Sequence, residues 1–274
     1  MRSEAYKLSG FTVVISAVGF LVRWLQDMRI AGEEGLAVNA PISWVVLAVM
    51  ALAALSLGAL VQRLRRYDAP TAPKDALWGR TPFYGAITMI PAVLLAMGGL
   101  LFAVEPGDDA IWPMMHRICG GMMVLGAFGA AVVAVNIAKE GRESTCRKGF
   151  WMMLAFAVFW LITGYRDAAS DPVMWRFAVG ILAQCASVLA IYYAAGYFFG
   201  SPHPKWTVFM CNFAAFLCIM SAIDGSSLTK ELDVSKLAQS VAYGALAVQF
   251  LIWAFVATEN LKTKPLTPAG QEKK

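Results

Sequence analysis

Long apolar runs dominate this chain, separated by short polar segments. Eight windows, approximately 8–25, 42–62, 82–104, 111–138, 149–165, 173–200, 206–223 and 237–258, stand out. Each approaches the roughly 20 apolar residues that a helix needs to cross a hydrocarbon core about 30 Å thick. The runs are continuous, whereas a membrane β-strand alternates over about 10 residues, so a barrel is excluded. The first window is the weakest because Arg23 interrupts it, and the fifth is short unless it extends to Tyr165 or beyond. A seven-helix reading would drop one of these two. Arg23-Trp24-Leu25 follow the first apolar stretch without a small-x-small cleavage site, so that window is expected to stay as a helix. The expected fold class is all-α: a polytopic integral membrane helix bundle with eight transmembrane helices. A single transmembrane domain covers 1–262, and a disordered cytoplasmic tail covers 263–274.

Composition narrows the class further. Hydrophobic residues make up 59% of the chain and charged residues 15%, with a mean hydropathy of +0.60; a soluble domain carries about 25% charged residues. A compact soluble fold of this length lacks the interior to hide so much hydrocarbon. A soluble enzyme, a disordered chain and a nucleic-acid partner are therefore excluded. The net charge of +5 is sided. Sixteen of the 23 Lys and Arg fall in the N-terminus, the even-numbered loops and the C-terminal tail, against five in the opposite loops. The excess of basic residues marks the cytoplasmic side, so both termini are expected in the cytoplasm of a cell that fits a bacterial inner membrane. The longest cytoplasmic loop, about 63–81, begins with Arg63, Arg65 and Arg66, a patch suited to anionic lipid headgroups.

Helix ends carry matching signals. Asp171-Pro172 reads as a cap followed by Pro in the first turn, and Asp109 before Pro113 and Ser235 before the last span read alike. Trp24, Trp44, Trp112, Tyr165 and Trp175 form an outer aromatic belt, and Tyr6, Trp78, Trp151 and Trp206 an inner one. Cys119, Cys185, Cys211 and Cys218 lie inside spans and Cys146 in a cytoplasmic loop, so no disulfide framework is implied. Pro41-Ile-Ser-Trp44 and Pro172-Val-Met-Trp175 repeat with identical spacing, and Gly10-Phe11 matches Gly149-Phe150. These echoes suggest two parallel four-helix repeats, 1–140 and 141–262.

Candidate chemistry lies where polar groups enter the apolar spans. Arg23, His116, Arg117, Arg176 and Gln239 gather at the outer edge, together with Glu105, Arg166, Asp167 and Asp224. Ionisable residues in a span are expensive and by default mark function. An outer vestibule for a small anionic or amphiphilic ligand follows, because the guanidinium fork can grip carboxylate or phosphate bidentately. The competing expectation is ion pairing between helices and snorkelling to the interface. At depth the polar residues are Ser16, Ser56, Thr88, Asn136, Gln184, Ser187, Asn212 and Gln249, of which Gln184 and Gln249 suit a neutral polar ligand. His116 and His203 lie on opposite sides, so no metal or haem site is implied, and no cofactor is expected. Pro91 should kink the third span, while Gly98-Gly99, Gly120-Gly121, Gly126, Gly129 and Gly196-x-x-x-Gly200 give small-residue faces. Catalytic motifs are missing, so the chain is read as no enzyme. The expected function is a small-solute transporter or membrane-embedded ligand-binding protein, with a non-transporting sensor subunit or assembly partner as the alternative. A reporter that works only in the cytoplasm should be active when fused after Lys274 and silent when inserted near Lys230; the opposite pattern would reverse the topology.

Overall fold

The structure, a computed structural model, describes residues 2–32, 41–64, 67–68, 70–77, 82–105, 112–138, 143–169, 178–223 and 234–263. It is an all-α bundle with eight helices long and apolar enough to cross a membrane. These are α1 (Arg2–Gly32), α2 (Pro41–Arg63), α4 (Pro82–Val104), α5 (Pro113–Ala138), α6 (Glu143–Ala169), α7 (Ala178–Gly196), α8 (Pro204–Ser221) and α9 (Val234–Glu259). A short α3 (Pro73–Ala76) and a two-residue antiparallel pair, β1 (Tyr67–Asp68) with β2 (Lys262–Thr263), complete the described elements.

Pro opens α2, α3, α4, α5 and α8, where its missing N–H costs nothing because the first turn has no carbonyl to bond. Several helices outrun their apolar windows: α1 starts at Arg2 and α6 at Glu143. Polar flanks continue the helix past the hydrocarbon, since hydropathy locates the bilayer core and not the helix end. Cys146 is consequently a buried residue of α6 and not of a loop, and Ser235 lies inside α9 and does not precede it. The Asp171-Pro172 and Asp109 starts lie outside the described residues.

Six helices close a ring in which α4, α5, α6, α7, α8 and α9 each pack on the next and α9 returns to α4. α1 lies on α8 and α9, and α2 lies on α1 and α8. Matching helices of the two halves thus have different neighbours: α7 packs on α6 and α8, whereas α2 packs on α1 and α8. The packing gives no sign of 1–140 and 141–262 as equivalent four-helix units. Large rings bridge α6 to α9, with Phe150 5.4 Å from Trp253 and Trp160 4.7 Å from Tyr243.

Glycines set how closely the backbones approach. A Cβ on Gly120 would lie 2.5 Å from the Ala103 nitrogen and 2.6 Å from the Gly99 oxygen. One on Gly129 would lie 2.5 Å from the Gly149 oxygen, and one on Gly126 would strike the Phe156 ring at 2.6 Å. Gly121, one residue on, faces open space. The expected small-residue face of the fourth span is therefore real, but Gly196 and Gly200 belong to a turn. Gly196 ends α7, Ser201 donates its N–H to the Gly196 carbonyl at 2.9 Å, and Gly200 takes φ +80°, a conformation that glycine adopts freely.

The start of α1 and the last described residues lie at one end, called here the terminal end. Tyr6 of α1 meets Phe255 of α9 at 5.2 Å, and Tyr67 pairs with Thr263. The chain does not leave the body after α9. Asn260 donates to the Ala76 carbonyl at 3.1 Å, Leu261 is buried, and Lys262–Thr263 joins β1. The expected tail over 263–274 thus loses its first residue to a strand, and the remainder lies outside the described residues. The amide side chain of Asn260 is the reason, since it satisfies a carbonyl exposed at the end of α3.

Gly120→Ala should lower stability by about 1–3 kcal/mol through backbone overpacking. Gly121→Ala should be neutral or gain up to about 1 kcal/mol of helix propensity. Thermal unfolding of the two variants in detergent separates them, and equal shifts would show that α4 and α5 do not touch there.

Candidate functional site

The ends of the helices opposite the termini carry most of the singled-out polar residues, and the structure distributes them among three helix interfaces. Between α4, α5 and α6 sits His116. Its ring stacks on Phe102 at 5.1 Å and 24°, and its Nε2 lies 2.8 Å from Asp167 Oδ2. His116 is buried on the inner face of α5, one turn before Gly120, whose contact with Gly99 draws Phe102 over the imidazole. Arg166 next to Asp167 turns the other way, with its guanidinium 4.1 Å from the Trp112 ring centre and Nη1 donating to Met115 Sδ at 3.2 Å. Cation–π contact of this kind favours arginine at a wet boundary.

Between α1 and α2, Arg23 is buried and donates from Nη1 to Gln26 Oε1 at 2.6 Å, and Gln26 Nε2 donates to Ser43 Oγ at 3.1 Å. Arg23 and Gln26, at i and i+3, are neighbours on one helix face. This guanidinium is held inside the protein and does not snorkel outward.

Between α6, α7 and α9, Gln184 Nε2 donates to the Tyr243 hydroxyl at 3.2 Å, and that hydroxyl donates to the Gly180 carbonyl at 3.3 Å. Gly164 on α6 makes room for the amide: a Cβ there would lie 2.5 Å from Gln184 Oε1. That oxygen is buried with no hydrogen-bond partner among the described residues. Trp160 covers the Tyr243 ring. Farther along α9, Gln249 Oε1 and Trp253 Nε1 are also buried without partners among the described residues. Gln239 is half-buried near the start of α9.

Arg117 stands apart. It follows His116 directly, about 100° farther round α5, and lies on the exposed face with Met114 and Ile118. There it lines a cavity of about 440 Å³ together with Pro113, Met114 and Ile118. Among the described residues Arg117 makes no hydrogen bond or ion pair. The expected vestibule joined Arg117 with at least one of Arg23, Arg176 or Gln239; the described lining of this cavity holds neither Arg23 nor Gln239, and a helix step of about 100° parts Arg117 from its neighbour His116. Arg176 and Asp224 lie outside the described residues.

Most deep polar side chains serve the bundle. Ser16, Thr88, Asn136 and Ser187 each donate to the carbonyl four residues back, and Ser56 to that three back, a common local solution in helices. Bonds between helices at depth include Thr12 donating to Asn212 Oδ1 at 2.8 Å, Thr207 donating to the Tyr193 carbonyl at 3.2 Å, Ser187 meeting Cys218 Sγ at 3.3 Å, and Gln184 meeting Tyr243.

Several participants, Gln26, Phe102, Tyr243 and Gly164 among them, are not marked out by the sequence. Tyr243 and Gly164 carry no signal in their local pattern, because one is an ordinary aromatic and the other an isolated glycine. At the terminal end, Glu259 is buried and accepts from the Tyr84 hydroxyl at 2.8 Å. An acidic residue closing an apolar run was its one visible mark. No known protein family, curated protein or solved structure matches this chain.

Asp167→Asn should cost about 1.5–3 kcal/mol, the range for a hydrogen bond to a charged group. Gly164→Ala should cost about 1–3 kcal/mol by displacing the Gln184 amide. Chemical unfolding in mild detergent reads both. Wild-type stability in Asp167→Asn would remove His116–Asp167 as a tie between α5 and α6.

Proposed function

We propose that this chain is a non-catalytic, membrane-embedded binding protein for an amphiphile with an anionic headgroup, resident in a bacterial-type inner membrane with both termini in the cytoplasm. The observation that carries this reading is the outward cavity at Arg117, where one uncommitted guanidinium stands among Pro113, Met114 and Ile118. A planar fork accepts phosphate or carboxylate oxygens bidentately, and an apolar wall beside it suits an acyl chain. Such a ligand reaches the site sideways from the bilayer. At the opposite boundary, the Arg63, Arg65 and Arg66 patch fits anionic headgroups by the same electrostatics.

Native mass spectrometry of the detergent-solubilised chain, titrated with phosphatidylglycerol and phosphatidylcholine, tests this. The wild type should retain the anionic lipid preferentially, and Arg117→Gln should weaken it about tenfold, the equivalent of one charge-assisted hydrogen bond lost. Unchanged binding in Arg117→Gln would overturn the site. Lipid indifference together with protein partners that co-purify would favour the sensor-subunit or assembly-partner alternative.

A further inference from the structure

A second cavity, of about 450 Å³, opens at the terminal end and is lined by Glu4, Arg63, Leu64 and Tyr67. It joins the first turn of α1 to the last turn of α2 and to β1, so it sits where the apolar spans meet water. Among the described residues its walls carry one carboxylate, Glu4, and one guanidinium, Arg63, which form no ion pair with each other. Arg63 makes no hydrogen bond or ion pair among the described residues. Glu4 Oε1 accepts from Lys7 Nζ at 2.9 Å in an exposed i, i+3 pair, a contact of small worth that a better donor displaces. Its second oxygen has no partner among the described residues. Leu64 is buried and gives the cavity an apolar floor, while Tyr67 is fixed by the pairing of β1 with β2.

Glu4 and Arg63 form no ion pair with each other among the described residues, and together they suit a ligand that carries both signs. We infer that this cavity binds a phosphoethanolamine group, with Arg63 on the phosphate and Glu4 on the ammonium. The guanidinium supplies parallel N–H donors to phosphate oxygens, and the primary ammonium supplies N–H donors that Glu4 accepts. A quaternary ammonium has no N–H to give, and a glycerol headgroup has no positive charge. The geometry therefore selects phosphatidylethanolamine over phosphatidylcholine and phosphatidylglycerol. A bilayer lipid is the source consistent with the position, since α2 presents the exposed apolar residues Leu52 and Leu55 beside which acyl chains can lie. This site is separate from Arg117 and stands or falls without it.

The test is native mass spectrometry of the full chain with equimolar phosphatidylethanolamine, phosphatidylcholine and phosphatidylglycerol, with soluble glycerophosphoethanolamine as competitor. The wild type should prefer phosphatidylethanolamine. Glu4→Gln should abolish that preference while leaving phosphatidylglycerol binding unchanged, and Arg63→Gln should weaken phosphatidylethanolamine about tenfold, as expected for one lost charge-assisted contact, while phosphatidylglycerol held at Arg117 stays bound. Arg117→Gln, in contrast, should leave the phosphatidylethanolamine preference intact. Competition by the soluble headgroup at the lipid's own concentration would keep the assigned chemistry and name a free ligand as its source. Equal retention of the three lipids by the wild type, or a preference that survives Glu4→Gln, would overturn the inference.

Discussion

Backbone contact between α4, α5 and α6 is the constraint on which the rest of this bundle depends. Within a bilayer, lipid tails are as apolar as leucine, so helices gain little from hiding hydrophobic side chains from each other. Association rests on close packing and on the few polar bonds that cross an interface. Gly99 against Gly120 and Gly129 against Gly149 let the backbones meet, and the gap left by Gly126 admits the Phe156 ring. That approach then decides what the neighbouring residues can do. It places Phe102 over His116 and brings Asp167 of the next helix to the imidazole. It also leaves Arg117 with no interior to enter.

The same logic governs the other side of the ring. α6 and α9 are bridged by aromatic side chains, and hydrogen bonds appear where a small residue has opened the space, as Gly164 does for Gln184. The two helices outside the ring attach differently. α1 joins α8 through the Thr12–Asn212 bond, and Gly19 lies against Phe216 and Met220. At the terminal end, Asn260, Glu259 and the β1–β2 pair tie the chain's last described residues to the α2–α4 connection. Each end of the molecule thus has its own polar fastening and its own charged cavity.

Much of the fold was legible because hydropathy reports burial in hydrocarbon directly. Eight apolar runs became eight helices, and Pro41, Pro82, Pro113 and Pro204 marked their starts. Helix ends were less legible: Glu143–Lys148 is helical although polar, since a helix continues wherever its backbone bonds are satisfied. The site was only partly legible. Position along the chain told which residues reach the boundary, but the direction of each side chain depends on which face the neighbours occupy. His116 and Arg117 are adjacent in sequence and meet different surroundings, one facing Asp167 and the other an exposed cavity. Arg23 found Gln26 and Ser43 within the protein. Local pattern had no means of choosing between these fates, because it contains the helical period but not the identity of the helix opposite.

Most of the described far-end polar residues serve the bundle, and the proposed lipid contact is Arg117. A density map of the chain in a nanodisc containing anionic phospholipid tests it most directly. The account predicts α4 and α5 in backbone contact at Gly99 and Gly120, His116 closed against Asp167, and a lipid phosphate within hydrogen-bond distance of Arg117. A map with α4 and α5 apart and Arg117 turned into a water-filled space between the helices would contradict it.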